Sequence, residues 1–122
     1  MTHFTDFLDV VTKSDSHFLK KAFESYGDSW KKRGGVGAFM MLARKWDRLE
    51  NSLERNNHYD IFKAIEMDRR AEGMIDDIRD LRRYLVLVEA EMMTKVNVPK
   101  DLLKEDTTGQ DHPFGYTPED DN

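Results

Sequence analysis

Cysteine does not occur in this 122-residue chain, which excludes a disulfide framework, a thiolate zinc site and a cysteine nucleophile. Proline is absent before Pro99, and the only glycine cluster of the body is Gly34-Gly35-Val36-Gly37, so little else there breaks a helix. Long apolar runs are lacking as well. Runs such as Tyr84-Leu85-Val86-Leu87-Val88 fall far short of the roughly 20 residues that cross a bilayer. The opening Met-Thr-His-Phe-Thr-Asp has neither the basic start nor the apolar stretch of a signal peptide. The expectation is a cytoplasmic protein with no membrane partner. An excess of positive charge is also missing: the net charge is −5. A protein that coats nucleic acid needs a basic surface, so stable nucleic-acid binding is not expected.

What is present divides the chain in two. Residues 1–96 carry 17 Lys/Arg and 17 Asp/Glu, whereas residues 97–122 carry two lysines, seven acids and all three prolines. A segment so charged and so poor in large apolar groups cannot offset its ordering entropy by burial. Residues 97–122 therefore read as a mostly disordered acidic tail, with a short helical turn near 101–104. Residues 1–96 read as one domain whose aromatics and methionines supply a modest core.

The expected fold is all-α, an antiparallel bundle of four to five helices. A first helix spans residues 5–12. A second, capped by Ser14 or Asp15, ends near Tyr26-Gly27. After a basic loop over 28–35, the third helix runs from 36 to 55 with Phe39, Leu42, Ala43, Trp46, Leu49 and Leu53 on one face. A short helix covers 59–68 and the longest covers 71–95. Its seam of Met74, Ile78, Leu81, Leu85, Val88 and Met92 steps by four and three, as antiparallel packing wants. Val86 and Leu87 lie off that seam, so the helix is apolar on nearly every side there. A second buried face implies a homo-oligomer, dimer or tetramer.

Two constellations carry chemistry. On the third helix Glu50 lies roughly 50° from the centre of the apolar face, flanked by Asp47 and Glu54. Asp77 and Asp80 follow on the last helix. Asp47-x-x-Glu50 facing Asp77-x-x-Asp80 would present four oxygen-bearing side chains to a hard cation, Mg²⁺ or Mn²⁺. The competing reading is a set of solvated faces, with Glu50 and Glu54 near Lys45 and Arg48, and Asp76 and Asp80 near Arg79 and Arg83. The second constellation is Trp30-Lys31-Lys32-Arg33-Gly34-Gly35-Val36-Gly37. Three cations precede glycines that open a helix, whose free N–H groups favour a phosphate. Tyr26 and Trp30 beside it can stack a base; otherwise the loop is a surface turn and the aromatics are half-buried filler.

Three stretches, Tyr26-Gly27-Asp28-Ser29-Trp30, Leu42 to Glu50 and Asp76 to Leu85, resemble the phage and bacterial family called nucleotide modification associated domain 1. More distantly, they resemble the all-α MazG-type nucleoside triphosphate pyrophosphohydrolases. The resemblance covers roughly residues 20–92. It implies that Asp47, Glu50, Asp77 and Asp80 hold Mg²⁺ against a nucleotide's phosphates for water attack. It also implies that Tyr84 joins Tyr26, Trp30, Lys31, Lys32 and Arg33 in nucleotide binding. The chain departs from the MazG pattern with Asp for Glu at 47 and 77, and with Trp46 where a further Glu usually stands. Two functions are thus expected: a Mg²⁺-dependent pyrophosphohydrolase releasing a monophosphate and pyrophosphate, or a non-catalytic phage sponge. The sponge would sequester a host immune signal such as a cyclic dinucleotide or an ADP-ribose derivative. A structural adaptor with no nucleotide affinity is the third class.

Overall fold

The computed structural model describes residues 3–56, 59–70 and 73–96. The acidic tail expected over 97–122, with its turn at 101–104, lies outside the described residues. The chain divides into a unit spanning Met1–Glu91 and a second from Met92 to Asn122, of which only the end of the last helix and Val96 are described. Among the described residues there are four α-helices and no strand: α1 (Phe4–Tyr26), α2 (Gly34–Arg55), α3 (Ile61–Met67) and α4 (Met74–Lys95), with a 3₁₀ turn at Ser29–Lys31. The expected all-α class holds. No helix among them is long and apolar enough to cross a membrane.

The first two expected helices are one. Nothing between residues 12 and 15 stops α1, because Thr12 returns its hydroxyl to the carbonyls of Leu8 (3.1 Å) and Asp9 (3.2 Å). Asp15, expected to cap a new helix, is instead drawn across to Arg82 and Arg83 of α4. The helix ends where glycine was expected to end it. Gly27 takes φ 56°, ψ −132°, a positive φ that other residues resist, and its N–H donates to the Phe23 carbonyl at 2.8 Å. Asp60 caps α3 by accepting from the N–H groups of Phe62 (3.1 Å) and Lys63 (3.2 Å), the usual task of an aspartate there.

The buried core is small. Leu49 of α2, Ala64 of α3 and Met74 of α4 meet, with Leu53, Ile61, Ile65, Ile78 and Leu81 packed against them. A seven-residue helix such as α3 is marginal alone; burying Ala64 completely is what holds it. The expected seam of α4 is buried unevenly. Met74 is buried and Ile78, Leu81 and Val88 are half-buried, while Leu85 and Met92 are exposed.

The run of contacts sets the helix directions. Lys45 meets Asp80 and Arg48 meets Asp77, so α2 and α4 are antiparallel as expected. Asp15 meets Arg82 and Arg83, and farther along both helices Leu19 and Phe23 line the same cavity as Leu87. α1 therefore runs parallel to α4, as the first and third long helices of an up-and-down bundle do. The reason is length: α3, at about 1.5 Å per residue, is too short to be a return leg, so three long helices run up, down and up.

Candidate functional site

The four acids singled out in the sequence have different surroundings. Asp47 and Glu50 are exposed on α2. Asp80 is half-buried, with Lys45 Nζ at 3.6 Å. Asp77 is only 2% exposed and is surrounded by donors. Ser52 Oγ, itself fully buried, lies 2.9 Å from Oδ2. Arg70 donates to the same oxygen at 3.0 Å. Arg48 Nε stands 3.0 Å from Oδ1, although Oδ1 accepts no aligned hydrogen bond. A buried carboxylate must be compensated, and two guanidinium groups and a hydroxyl compensate this one.

The network continues into the loop before α4. Arg70 is shared with Asp68, whose Oδ1 accepts from Arg70 Nε at 3.0 Å and whose Oδ2 accepts from the backbone N–H of Met74. Asp68 thereby satisfies an otherwise orphan donor at the start of α4. The Arg70 guanidinium, helped by the Met74 N–H, holds the Asp68 carboxyl down at about 2. Gly73 makes the approach possible, since a Cβ there would stand 2.8 Å from Asp68 Oδ2.

This donor set does not fit the Mg²⁺ or Mn²⁺ that the spacing suggested. The buried carboxylate faces cations, Asp80 faces Lys45, and the other two acids are exposed on α2. Among the described residues, no three acidic or histidine side chains gather closely enough to hold a metal ion. The competing reading, in which acids pair with nearby bases, fits the arrangement better. Its partners are partly different: Arg79 takes Asp76 (2.8 Å) as expected, but Asp80 turns to Lys45 and Arg83 turns to Asp15.

The expected nucleotide-binding residues separate into two sets. Tyr26, Trp30 and Tyr84 do come together, lining one cavity of about 350 Å³ with Leu19, Phe23 and Leu87. Tyr84 is braced from α2, where Lys45 Nζ lies 5.9 Å from its ring centroid. Next to Trp30, Lys31 points to acids: Glu91 Oε1 lies at 2.9 Å and Asp28 Oδ1 at 3.8 Å. The Glu91 carboxylate keeps the Lys31 ammonium charged to higher pH than usual. Lys32 and Arg33 are exposed, and α2 opens at Gly34, with φ 73°, two residues earlier than expected.

A second ionic cluster, not singled out in the sequence, joins α1 to α4. Asp15 is buried and binds Arg82 through both oxygens and Arg83 at 2.9 Å. The Arg82 guanidinium, seconded by Arg83, holds its carboxyl below the usual carboxylate range. Arg83 also lies 4.1 Å over the Phe18 ring. The one signal that could have found it is Asp15 itself, an acid inside an otherwise apolar α1 stripe of Phe4, Leu8, Val11 and Phe18. Comparison with family models, curated proteins and solved structures gives no match to this chain.

Proposed function

We propose that this protein binds a nucleotide or nucleotide-derived small molecule and does not consume it. The observation that carries this reading is the convergence of Tyr26, Trp30 and Tyr84 on one cavity of about 350 Å³. Cavities of roughly 300–1,000 Å³ with mostly apolar and aromatic walls suit small ligands, and flat aromatic faces suit a stacked base. Lys31, Lys32 and Arg33 follow Trp30 in the chain, which places cations beside the proposed base site for its phosphates. Binding without turnover is favoured over hydrolysis because the acids that would hold Mg²⁺ are dispersed among arginines and solvent. Together with the resemblance to phage nucleotide-associated domains, the reading makes the protein a sponge. Its cargo would be a host nucleotide signal such as a cyclic dinucleotide or an ADP-ribose derivative.

The same proposal includes self-association. Phe4, Phe7, Leu8, Val10 and Phe18 of α1 and Leu85 and Val86 of α4 are all exposed, and a second copy would bury them.

A thermal-shift panel of nucleotides, with and without Mg²⁺, tests the proposal, because a ligand that prefers the folded state raises its melting point. The expected result is stabilisation by one nucleotide class without metal, lost in Trp30→Ala and Tyr84→Ala, with the ligand recovered intact after denaturation. No response to any nucleotide overturns the binding site. Mg²⁺-dependent pyrophosphate release that disappears in Glu50→Ala would restore the hydrolase.

A further inference from the structure

The α2 side of the molecule carries a second cavity, of about 650 Å³, lined by Arg44, Asp47, Arg48, Asn51, Arg55 and Arg70. It shares no lining residue with the aromatic cavity. Residues 44, 48, 51 and 55 step by four, three and four, so they rise along one face of α2, and Arg70 arrives from the loop between α3 and α4. Four guanidinium groups against one lining carboxylate make this cleft cationic, in a body whose basic and acidic residues otherwise balance.

Like charges one helical turn apart repel, so such a cluster needs a counter-charge. Asp77 supplies it from the buried side, with Arg48 at 3.0 Å from one oxygen and Arg70 at 3.0 Å from the other. Asp68 grips Arg70 a second time. Two of the four planar heads are therefore fixed before any ligand arrives. Arg44 and Arg55 have no carboxylate partner among the described residues. An ion network of this kind adds little stability over apolar packing. Its distinctive product is orientation.

We propose that this cleft binds a phosphate dianion, either free phosphate or the phosphoryl group of a small metabolite. The planar fork of arginine matches phosphate oxygens two at a time. Arg44 and Arg55 close on the anion, while Arg48 and Arg70, held by Asp77, form its floor. Heads that are already ordered lose less entropy on binding. Asp47 and Asn51, on the same wall, offer an acceptor and an amide to a hydroxyl group carried beside the phosphate.

The test is calorimetric titration of the full chain, at low salt and without Mg²⁺, with inorganic phosphate and separately with glycerol phosphate. Saturable binding is expected. It should weaken roughly tenfold for each arginine removed in Arg44→Ala and Arg55→Ala, and these exposed substitutions should leave the ligand-free melting point unchanged. Tyr84→Ala should bind phosphate as the parent chain does, which keeps this site distinct from the nucleotide cavity whatever becomes of that cavity. Tighter binding of the ester, abolished by Asp47→Ala, identifies an organic phosphate; equal binding identifies the free ion. Binding unchanged in the Arg44→Ala/Arg55→Ala double variant, or absent for both anions at millimolar concentration, overturns the proposal.

Discussion

The end of α2, α3 and the start of α4 form a region where apolar side chains are sealed and charges are paired. There Leu49, Ala64 and Met74 are buried, and Asp77 and Ser52 are buried beside them with donors in place. α1 and the later half of α4 form the opposite case. The only buried residue of α1 is an aspartate, and Phe4 is 75% exposed and Phe7 56% exposed. The first region is sealed by residues of this one chain. The second leaves large apolar side chains exposed among the described residues, and burial of that surface would add stability. One half is sealed and the other is open.

The largest test of this contrast removes the buried charge. Asp77→Ala leaves Arg48 and Arg70 without their shared counter-ion, and breaking a buried pair in this way costs about 3–5 kcal/mol. For a domain of this size each kcal/mol lowers the melting point by roughly 4–8 °C, so a fall well above 10 °C is expected. Asp47→Ala and Glu50→Ala, exposed on α2, should stay within about 0.5 kcal/mol of the parent. Urea unfolding of the three variants decides the matter. Equal losses for all three would mean that the acids act together after all.

Met74→Ala probes the same sealed region and Phe7→Ala the open one. The first creates a cavity and should cost about 2–5 kcal/mol at any protein concentration. The second should be nearly silent in a dilute single chain. Its cost should grow with concentration if a second copy covers α1, because association adds stability by mass action. Melting curves at two concentrations about a hundredfold apart separate the cases, and a Phe7→Ala effect independent of concentration would place the cover of α1 within its own chain.

Which parts were legible in the sequence follows from the same division. Periodicity exposed α2 and α4, where apolar spacing follows burial, but it divided α1 in two. It misjudged Phe39, Trp46, Leu85 and Met92, which share the spacing of core residues but are exposed in the single chain. A pattern records that a face prefers burial, not which chain buries it. Acidic spacing was the weaker guide. Asp77 and Asp80 stand three apart as metal ligands do, yet their fate depended on which arginines and lysines crossed from other elements. Arg70 lies in a loop, and no helical wheel places it against Asp77. The aromatic residues Tyr26, Trp30 and Tyr84 did converge, since Gly27 turns the chain between the first two and brings both against α4.

Acid titration gives a smaller effect with a defined sign. The Asp68 carboxyl is depressed to about 2 in the folded state by Arg70 and the Met74 N–H, and that of Asp15 is lowered by Arg82. A depressed carboxylate contributes stability that is fully present above its ordinary value. That stability is lost as pH falls through the folded-state value. Melting points should therefore hold down to about pH 4 and decline toward pH 2. Asp68→Asn should flatten part of that decline while lowering stability at neutral pH. A parent curve that is flat over this interval would mean that these pairs are as open to water as surface ones.

The smallest expected effect concerns Lys31, where the two regions come closest in chemistry. Its pair with Glu91 is close, at 2.9 Å, but both side chains remain partly exposed, and such pairs contribute little. Lys31→Gln should thus lower the melting point by a few degrees at most, and the difference should shrink in high salt because exposed charges are screened. The same variant sharpens the nucleotide proposal. Lys31 can neutralise a bound phosphate only by leaving Glu91, so the substitution should weaken nucleotide binding while barely touching stability. Stability loss with unchanged nucleotide affinity would assign Lys31 to the scaffold and leave the phosphates to Lys32 and Arg33.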